Sequence, residues 1–334
     1  MTRFCFLYAD DPDIAYNSSF WRCEVPAVFL ANAGHQASLI PTMQVESVGD
    51  EWDVYIIEHQ LFGPILAKAL RWKAAGRRVW VTLDDNYWLI PKSIRSYRTW
   101  REATDQQGRP LGFDPLKDLE RGLAQIDGAI TPSRKLTDYV GGKMGEESSK
   151  SGRVRTIENY YPDFWLTFPD SRPEFDLGWS FNATHKASLA CSGLKKALTR
   201  SGRTFFLNTS DHHLLDDCKH LYASYQPWVS QDSYLSVARR FRIGLAPYYG
   251  EYDAYRSNVK VLTYALAGRP WVASNSPAVQ NAVGGVLVEN TVKGWLQGIE
   301  AVEANYVQLQ EAGLAWAKTY AISNHLGEYL SLGI

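Results

Sequence analysis

Short apolar runs alternate with amphipathic stretches along the chain. Residues 4–8, 37–40, 54–57, 78–83, 128–131 and 154–157 are brief, mostly apolar runs bounded by turn residues, the pattern of strands buried on both faces. Between them, residues 21–33, 63–75, 116–126 and a stretch opening after Ser133 carry apolar positions at helical spacing, with Gly34 and Gly76 closing the first two. Residues 141–152, rich in glycine, serine and charge, read as a surface loop. Pro162, Pro169 and Pro173 then mark residues 163–176 as the linker. Beyond it the alternation restarts. Strands are predicted over 175–179, 203–208, 243–247, 270–274 and 285–288, and helices over 188–200, 234–240, 257–267 and most of 291–317. Repeated β–α alternation predicts parallel sheets covered by helices. The expected architecture is α/β, with two Rossmann-like α/β/α domains over residues 1–165 and 166–334, the last helix free to return to the first domain.

Composition narrows the class of protein. At 334 residues, 45% hydrophobic and 21% charged, the chain is an ordinary globular one, which excludes disordered, collagen-like and coiled-coil readings. Thirty-five Lys and Arg against 36 Asp and Glu exclude a globally basic nucleic-acid binder but leave room for a local patch. The aromatic content (12 Trp, 19 Tyr, 13 Phe) points first to core packing and second to stacking on sugars or bases. Cys5, Cys23, Cys191 and Cys218 form no Cys-x-x-Cys pair, and scattered reduced thiols suit the cytoplasm. The N-terminal apolar run is too short for a signal peptide, and no run approaches 18 apolar residues, so a cytoplasmic chain without a membrane span is expected.

Candidate chemistry concentrates at strand ends. After the predicted strand 243–247 a loop leads to a helix opening near Ser257, a good N-cap type bracketed by Arg256 and Lys260. Two cations there oppose the helix dipole, which points to an anion such as a diphosphate at that terminus; a solvated basic turn is the plainer reading. His185 follows Thr184 at the start of another helix and could donate to an anionic leaving group. Asp84 and Asp85 end the RVWVTL strand, where they could orient or deprotonate an acceptor hydroxyl, or simply cap the next turn. Asp11-Pro12-Asp13 has a metal-binding spacing, and Asp211-His212-His213 looks like part of a metallophosphoesterase site but lacks its partners. Residues 68–109 hold ten Lys or Arg against four Asp or Glu, interleaved with Trp72, Trp80, Tyr87, Trp88, Tyr97 and Trp100. Basic groups track phosphates and aromatics stack on bases, although an amphipathic surface has the same composition. No G-x-G-x-x-G after a strand and no Walker A motif is present.

Residues 252–274, YDAYRSNVKVLTYALAGRPWVAS, resemble the donor-site helix and following strand of GT-B glycosyltransferases of the group 1, family 4-like set. The resemblance rests on Tyr252, Asp253, Arg256, Ser257, Asn258, Lys260, Tyr264, Ala265, Leu266, Gly268, Pro270, Val272, Ala273 and Ser274. WRCEVPAVFLANAGHQA (21–37), VTLDDNYWLIP (81–91), GAITPSRKL (128–136), TIENYYPDFW (156–165) and GWSFNATHKASL (178–189) agree in order, so it covers nearly the whole chain. It implies an N-terminal acceptor domain and a C-terminal nucleotide-sugar domain facing across a cleft, with retaining, metal-independent transfer from a UDP-sugar or, second, a GDP-sugar. It places Arg256, Lys260 and His185 on the leaving group, Thr184, Tyr255, Ser257, Asn258, Val259 and Thr263 on the nucleotide sugar, and Asp84 and Asp85 on the acceptor side. Compact viral-type members that glycosylate hydroxymethylated pyrimidines in DNA would suit the basic stretch, in a host cytoplasm; a saccharide or cell-surface glycan acceptor is the alternative. The chain departs from the family where Thr263 and Tyr255 replace a pair of glutamates, Phe181 a glycine and Ser188 an aspartate. A threonine cannot supply a bidentate carboxylate, which motivates a rival reading as a non-catalytic nucleotide-sugar or nucleic-acid binding module.

Overall fold

The computed structural model describes residues 1–10, 18–145, 152–167, 171–180 and 183–334, the side chains of 183, 212–214 and 232 excepted. The chain divides into two compact units, Met1–Pro162 with Ala321–Ile334, and Asp163–Tyr320.

The first unit is built on a six-stranded sheet of β1 (Arg3–Tyr8), β2 (Gln36–Pro41), β3 (Val54–Glu58), β4 (Arg78–Thr82), β5 (Gly128–Thr131) and β6 (Val154–Thr156). All are parallel, in the order β2-β1-β3-β4-β5-β6. The chain steps outward from β1 to β2 and returns to the other side of β1 for β3, so the direction of winding reverses between β1 and β3. In open α/β sheets such a switch point, at the carboxyl ends of the strands, is where ligands bind. The crossovers carry α1 (Val25–Asn32), α2 (Gly63–Ala74), α3 (Tyr97–Glu102), α4 (Pro115–Gln125) and α5 (Arg134–Met144). A π-helical turn, Phe20–Glu24, leads into α1. The VYIIE run of β3 is buried along its whole length, and the Tyr55 ring stacks on Trp72 of α2 at 4.0 Å.

The second unit repeats the plan with β7 (Phe175–Ser180), β8 (Phe205–Asn208), β9 (Ser224–Gln226), β10 (Phe241–Ala246), β11 (Trp271–Ser274) and β12 (Gly285–Val288). The parallel order is β12-β11-β10-β7-β8-β9, which puts the switch point between β7 and β10. Its helices are α6 (Lys186–Cys191), α7 (Leu194–Ser201), α8 (His212–Cys218), α9 (Gln231–Ala238), α10 (Gly250–Asp253), α11 (Val259–Leu266), α12 (Val292–Ala304) and α13 (Tyr306–Lys318). Trp179, Trp271 and Trp295 are fully buried, the core use expected first of this aromatic-rich chain. Gly244 in β10 leaves room for the Tyr264 ring, which lies directly on the strand; a Cβ there would stand 2.3 Å from it.

Local departures from the sequence pattern have local causes. The helix expected over 188–200 is two, α6 and α7, broken at Gly193 (φ +77°). A Cβ at Gly193 would meet the backbone nitrogen of Val292 at 2.8 Å, so the break is also a close approach that glycine alone permits. The stretch 141–152 is not all loop, because α5 runs to Met144. The helix expected from Ser257 opens two residues later, with Asn258 in the cap position and no side-chain cap bond. The long helix expected over 291–317 is α12 and α13, meeting at Asn305. No helix among the described residues is long and apolar enough to cross a membrane.

Candidate functional site

In the second unit, β7 and β10 lie side by side at the switch point. The buried Tyr264 of α11 fastens the two strand ends, its hydroxyl donating to the Leu245 carbonyl at 3.1 Å and accepting from the Ser180 amide at 3.4 Å. Above this floor the buried Asp253 of α10 is a hub. Its Oδ2 accepts from Ser188 Oγ at 2.5 Å and from the Tyr249 amide at 2.9 Å, and its Oδ1 lies 3.0 Å from Arg256 Nε. The Arg256 guanidinium sits over the Tyr252 ring at 5.0 Å, with Nη1 3.5 Å from His185 Nε2. Lys260, in the first turn of α11, donates to the Ser180 carbonyl. Three nitrogen-bearing groups therefore converge on a helix N-terminus, with one carboxylate to balance them.

The electrostatics follow from that count. Burial, reinforced by Arg256 and only partly opposed by Asp253, pulls the Lys260 ammonium down to about 7. Burial, then Lys260 and Arg256, push the His185 imidazole well below its usual value, so it is neutral at neutral pH. Among the described residues its Nδ1 makes no hydrogen bond. A bound dianion would relieve the crowding of positive charge and receive charge-assisted donors in a low-dielectric setting.

The structure thus brings together His185, Arg256 and Lys260. Thr184 is half-buried in the turn before His185, and Ser257 is half-buried between Arg256 and α11. Asn258 is buried, with Nδ2 donating to Tyr320 Oη at 3.4 Å and Oδ1 unbonded among the described residues. Val259 is the first residue of α11, and Tyr255 is buried. Thr263 is also buried, and its hydroxyl is spent on the Val259 carbonyl at 2.8 Å. The hub residues Asp253 and Ser188 were not expected as site residues. The first is legible as an acid three positions before Arg256, close enough along the chain to pair with it. The second sits 65 positions away and has no such signal.

The first unit also gathers polar groups at its switch point. Glu58, the last residue of β3, is fully buried; it accepts from the Ala9 amide at 2.7 Å, from Ser18 Oγ at 2.5 Å and from Ser19 Oγ. His59 follows with φ +29°, in a region few non-glycine residues adopt. Asp84, after β4, accepts from the Tyr87 hydroxyl and lies 3.8 Å from His59 Nδ1. Asp85 is half-buried beside it. Of these, only Asp84 and Asp85 were expected; the signal for the others is a Glu-His pair closing an otherwise apolar strand, VYIIEH.

The basic stretch 68–109 is only half of what its composition suggests. Trp72, Trp80, Tyr87, Trp88 and Trp100 are buried, so these rings pack the unit and do not offer faces to bases. Arg71, Lys73, Arg77, Arg78 and Arg109 pair with acids. Arg95, Arg98 and Arg101 are exposed at helical spacing and bond Gln106 and the Trp88 carbonyl, with no acid partner among the described residues. Asp11-Pro12-Asp13 and the His212 and His213 side chains lie outside the described residues.

No family model and no curated protein matches the chain. Solved structures do match, along almost the whole length. A structure of an "alpha-glucosyltransferase in complex with UDP and a 13-mer DNA containing a HMU base" aligns with TM-score 0.68 at 11% identity, covering 99% of both chains. The catalytic domain of starch synthase IV from Arabidopsis thaliana, bound to ADP and acarbose, aligns with TM-score 0.68 at 11% identity over 99% of this chain and 98% of the other. HepE from Anabaena, in complex with UDP and glucose, aligns with TM-score 0.62 at 11% identity over 99% of this chain and 100% of its own. The chain has the fold of the GT-B glycosyltransferases, two Rossmann-like α/β domains each carrying a parallel sheet.

Proposed function

We propose that this chain is a glycosyltransferase that moves a sugar from a nucleotide sugar to an acceptor hydroxyl. The observation that carries the reading is the pairing of Arg256 and Lys260 against the single carboxylate of Asp253 at the start of α11. That net positive edge suits the diphosphate of a nucleotide-sugar donor, whose leaving group gains charge as the sugar departs. Arg256 and Lys260 would meet that charge, and neutral His185 would donate one hydrogen bond. The donor is read as a UDP-sugar, in keeping with UDP in two of the similar structures, and the transfer as retaining, as the resemblance implies. Asn258 and the α11 backbone at Val259 are the next contacts in this reading; Thr263, with its hydroxyl engaged, contributes shape only.

The acceptor is read as a hydroxymethylated pyrimidine in DNA. Arg95, Arg98 and Arg101 would track the phosphate backbone, and the DNA-bound glucosyltransferase is among the similar structures. The test is transfer from UDP-glucose to a duplex containing 5-hydroxymethyluracil, followed by mass spectrometry of the oligonucleotide. The expected result is a gain of one hexose per modified base. Arg95→Glu, Arg98→Glu and Arg101→Glu together should raise the KM for the duplex about tenfold or more at low salt and flatten its salt dependence. Transfer to a saccharide with no affinity for DNA would move the acceptor to a glycan. Absence of transfer from UDP-, GDP-, ADP- and CMP-sugars alike would favour the non-catalytic binding module.

A further inference from the structure

The cation-lined edge of the second unit contains a buried carboxylate for which an anion site has no direct electrostatic use. The Asp253 side chain is 4% exposed, while the Arg256 side chain paired with it is 17% exposed. The acid therefore stands behind the guanidinium and out of a ligand's reach. A buried aspartate there is desolvated, and it repels any anion that comes to Arg256 and Lys260. Its presence needs another reason.

The hydrogen bonds supply one. Ser188, fully buried in α6 after β7, donates to Asp253 Oδ2 at 2.5 Å. The Tyr249 amide, after β10, donates to the same oxygen at 2.9 Å. The carboxylate is thus anchored from the chain segments that follow two neighbouring strands. Both bonds fall on Oδ2, which leaves Oδ1 facing Arg256 Nε at 3.0 Å. The guanidinium is bounded on a second side by the Tyr252 ring at 5.0 Å, and on a third by His185, whose Nε2 lies 3.5 Å from Nη1. An arginine side chain has many rotamers, and one already fixed spares an arriving ligand the cost of ordering it.

We propose that Asp253, anchored by Ser188 and the Tyr249 amide, is the positioning residue of the donor site, holding Arg256 by Nε and leaving its Nη groups for the diphosphate. It touches no ligand itself. Its charge also favours the ammonium form of Lys260, against burial and Arg256. The assignment rests on the glycosyltransferase reading and concerns binding of the nucleotide alone.

The test is calorimetric titration of UDP into the full chain, as wild type, Asp253→Asn, Ser188→Ala, Arg256→Gln, and Ser188→Ala combined with Arg256→Gln. Asparagine keeps the size of Asp253 and an oxygen to accept from Ser188 and Tyr249. If the carboxylate were a bystander, removing its charge would tighten the binding of an anion. The positioning role has the opposite sign: Asp253→Asn should weaken UDP binding about tenfold or more, as expected of a lost charge-assisted contact. Ser188→Ala leaves every charge in place and should weaken binding about threefold, the scale of one neutral hydrogen bond. In the Arg256→Gln background the same change should cost nothing further, because the group it helps to aim is gone. Thermal unfolding of each variant confirms that it is folded at the titration temperature. If Asp253→Asn does not fold, the Ser188→Ala comparison decides. UDP binding by Asp253→Asn as tight as wild type or tighter would overturn the proposal. A loss from Ser188→Ala that persists in full without Arg256 would also overturn it and leave the pair as packing. A wild-type protein that binds none of UDP, GDP and ADP would defeat the glycosyltransferase reading itself, whereas wild-type binding that the variants do not weaken would defeat this proposal alone.

Discussion

The two units place their polar clusters at equivalent points, the carboxyl ends of strands at the reversal of sheet order, yet fill them with opposite charge. Between β1 and β3 the first unit collects Asp10, Glu58, Asp84 and Asp85 around one histidine. Between β7 and β10 the second unit collects Arg256 and Lys260 around another. The two rings respond in opposite directions: carboxylates hold the proton on His59, and cations drive it off His185. One topology thus supplies the position, and a handful of side chains decides its charge.

The contrast breaks most readily at Lys260. Lys260→Met should weaken UDP binding about 10–100-fold, the value of one charge-assisted hydrogen bond at about 1.5–3 kcal/mol. The same change should make the unliganded protein more stable. With the ammonium held at about 7, the folded state binds fewer protons than the unfolded chain between pH 7 and the ordinary lysine range. Wild-type stability therefore rises with pH through that window, and below it the folded protein bears the full cost of a buried charge. The gain in Tm from Lys260→Met should be largest near pH 6 and fade toward pH 10. Weaker UDP binding together with a higher Tm separates a binding lysine from a structural one, which would lose both.

A smaller effect sharpens the comparison from the other side. Thr263→Val should change UDP affinity by less than twofold, because the threonine hydroxyl bonds the Val259 carbonyl within its own helix. Calorimetry of the two variants side by side would then rank α11 by position: Lys260 in its first turn matters, and Thr263 one turn later does not.

Much of the fold was legible from the chain, for a physical reason. Strands buried on both faces leave apolar runs such as VYIIE and RVWVT that end abruptly in polar pairs, and those ends are where the parallel sheet opens to ligands. His185, Arg256 and Lys260 were legible because they stand at helix starts after such strands. Contacts made across the chain were not. Ser188 meets Asp253 from 65 positions away, and Gly193 breaks its helix because of a neighbour near Val292. The Glu58–His59 pair closes a strand just as Asp84 and Asp85 do, but a single acid at a strand end carries no repulsion signal in the sequence. The spacing of the aromatic residues in 68–109 fits an amphipathic surface or a stacking surface alike, and burial of five of the six makes it core.

The opposite charge of the two edges is the central claim, and titration of the histidine rings by nuclear magnetic resonance tests it most directly, with His59→Asn and a His185→Gln variant assigning the two signals. His59 should take up its proton above the usual histidine value of about 6.5 and be indifferent to UDP. His185 should take up its proton well below the usual histidine value, and its ring should respond when UDP is added. Two rings titrating together near the usual value, with no response of His185 to UDP, would contradict the account.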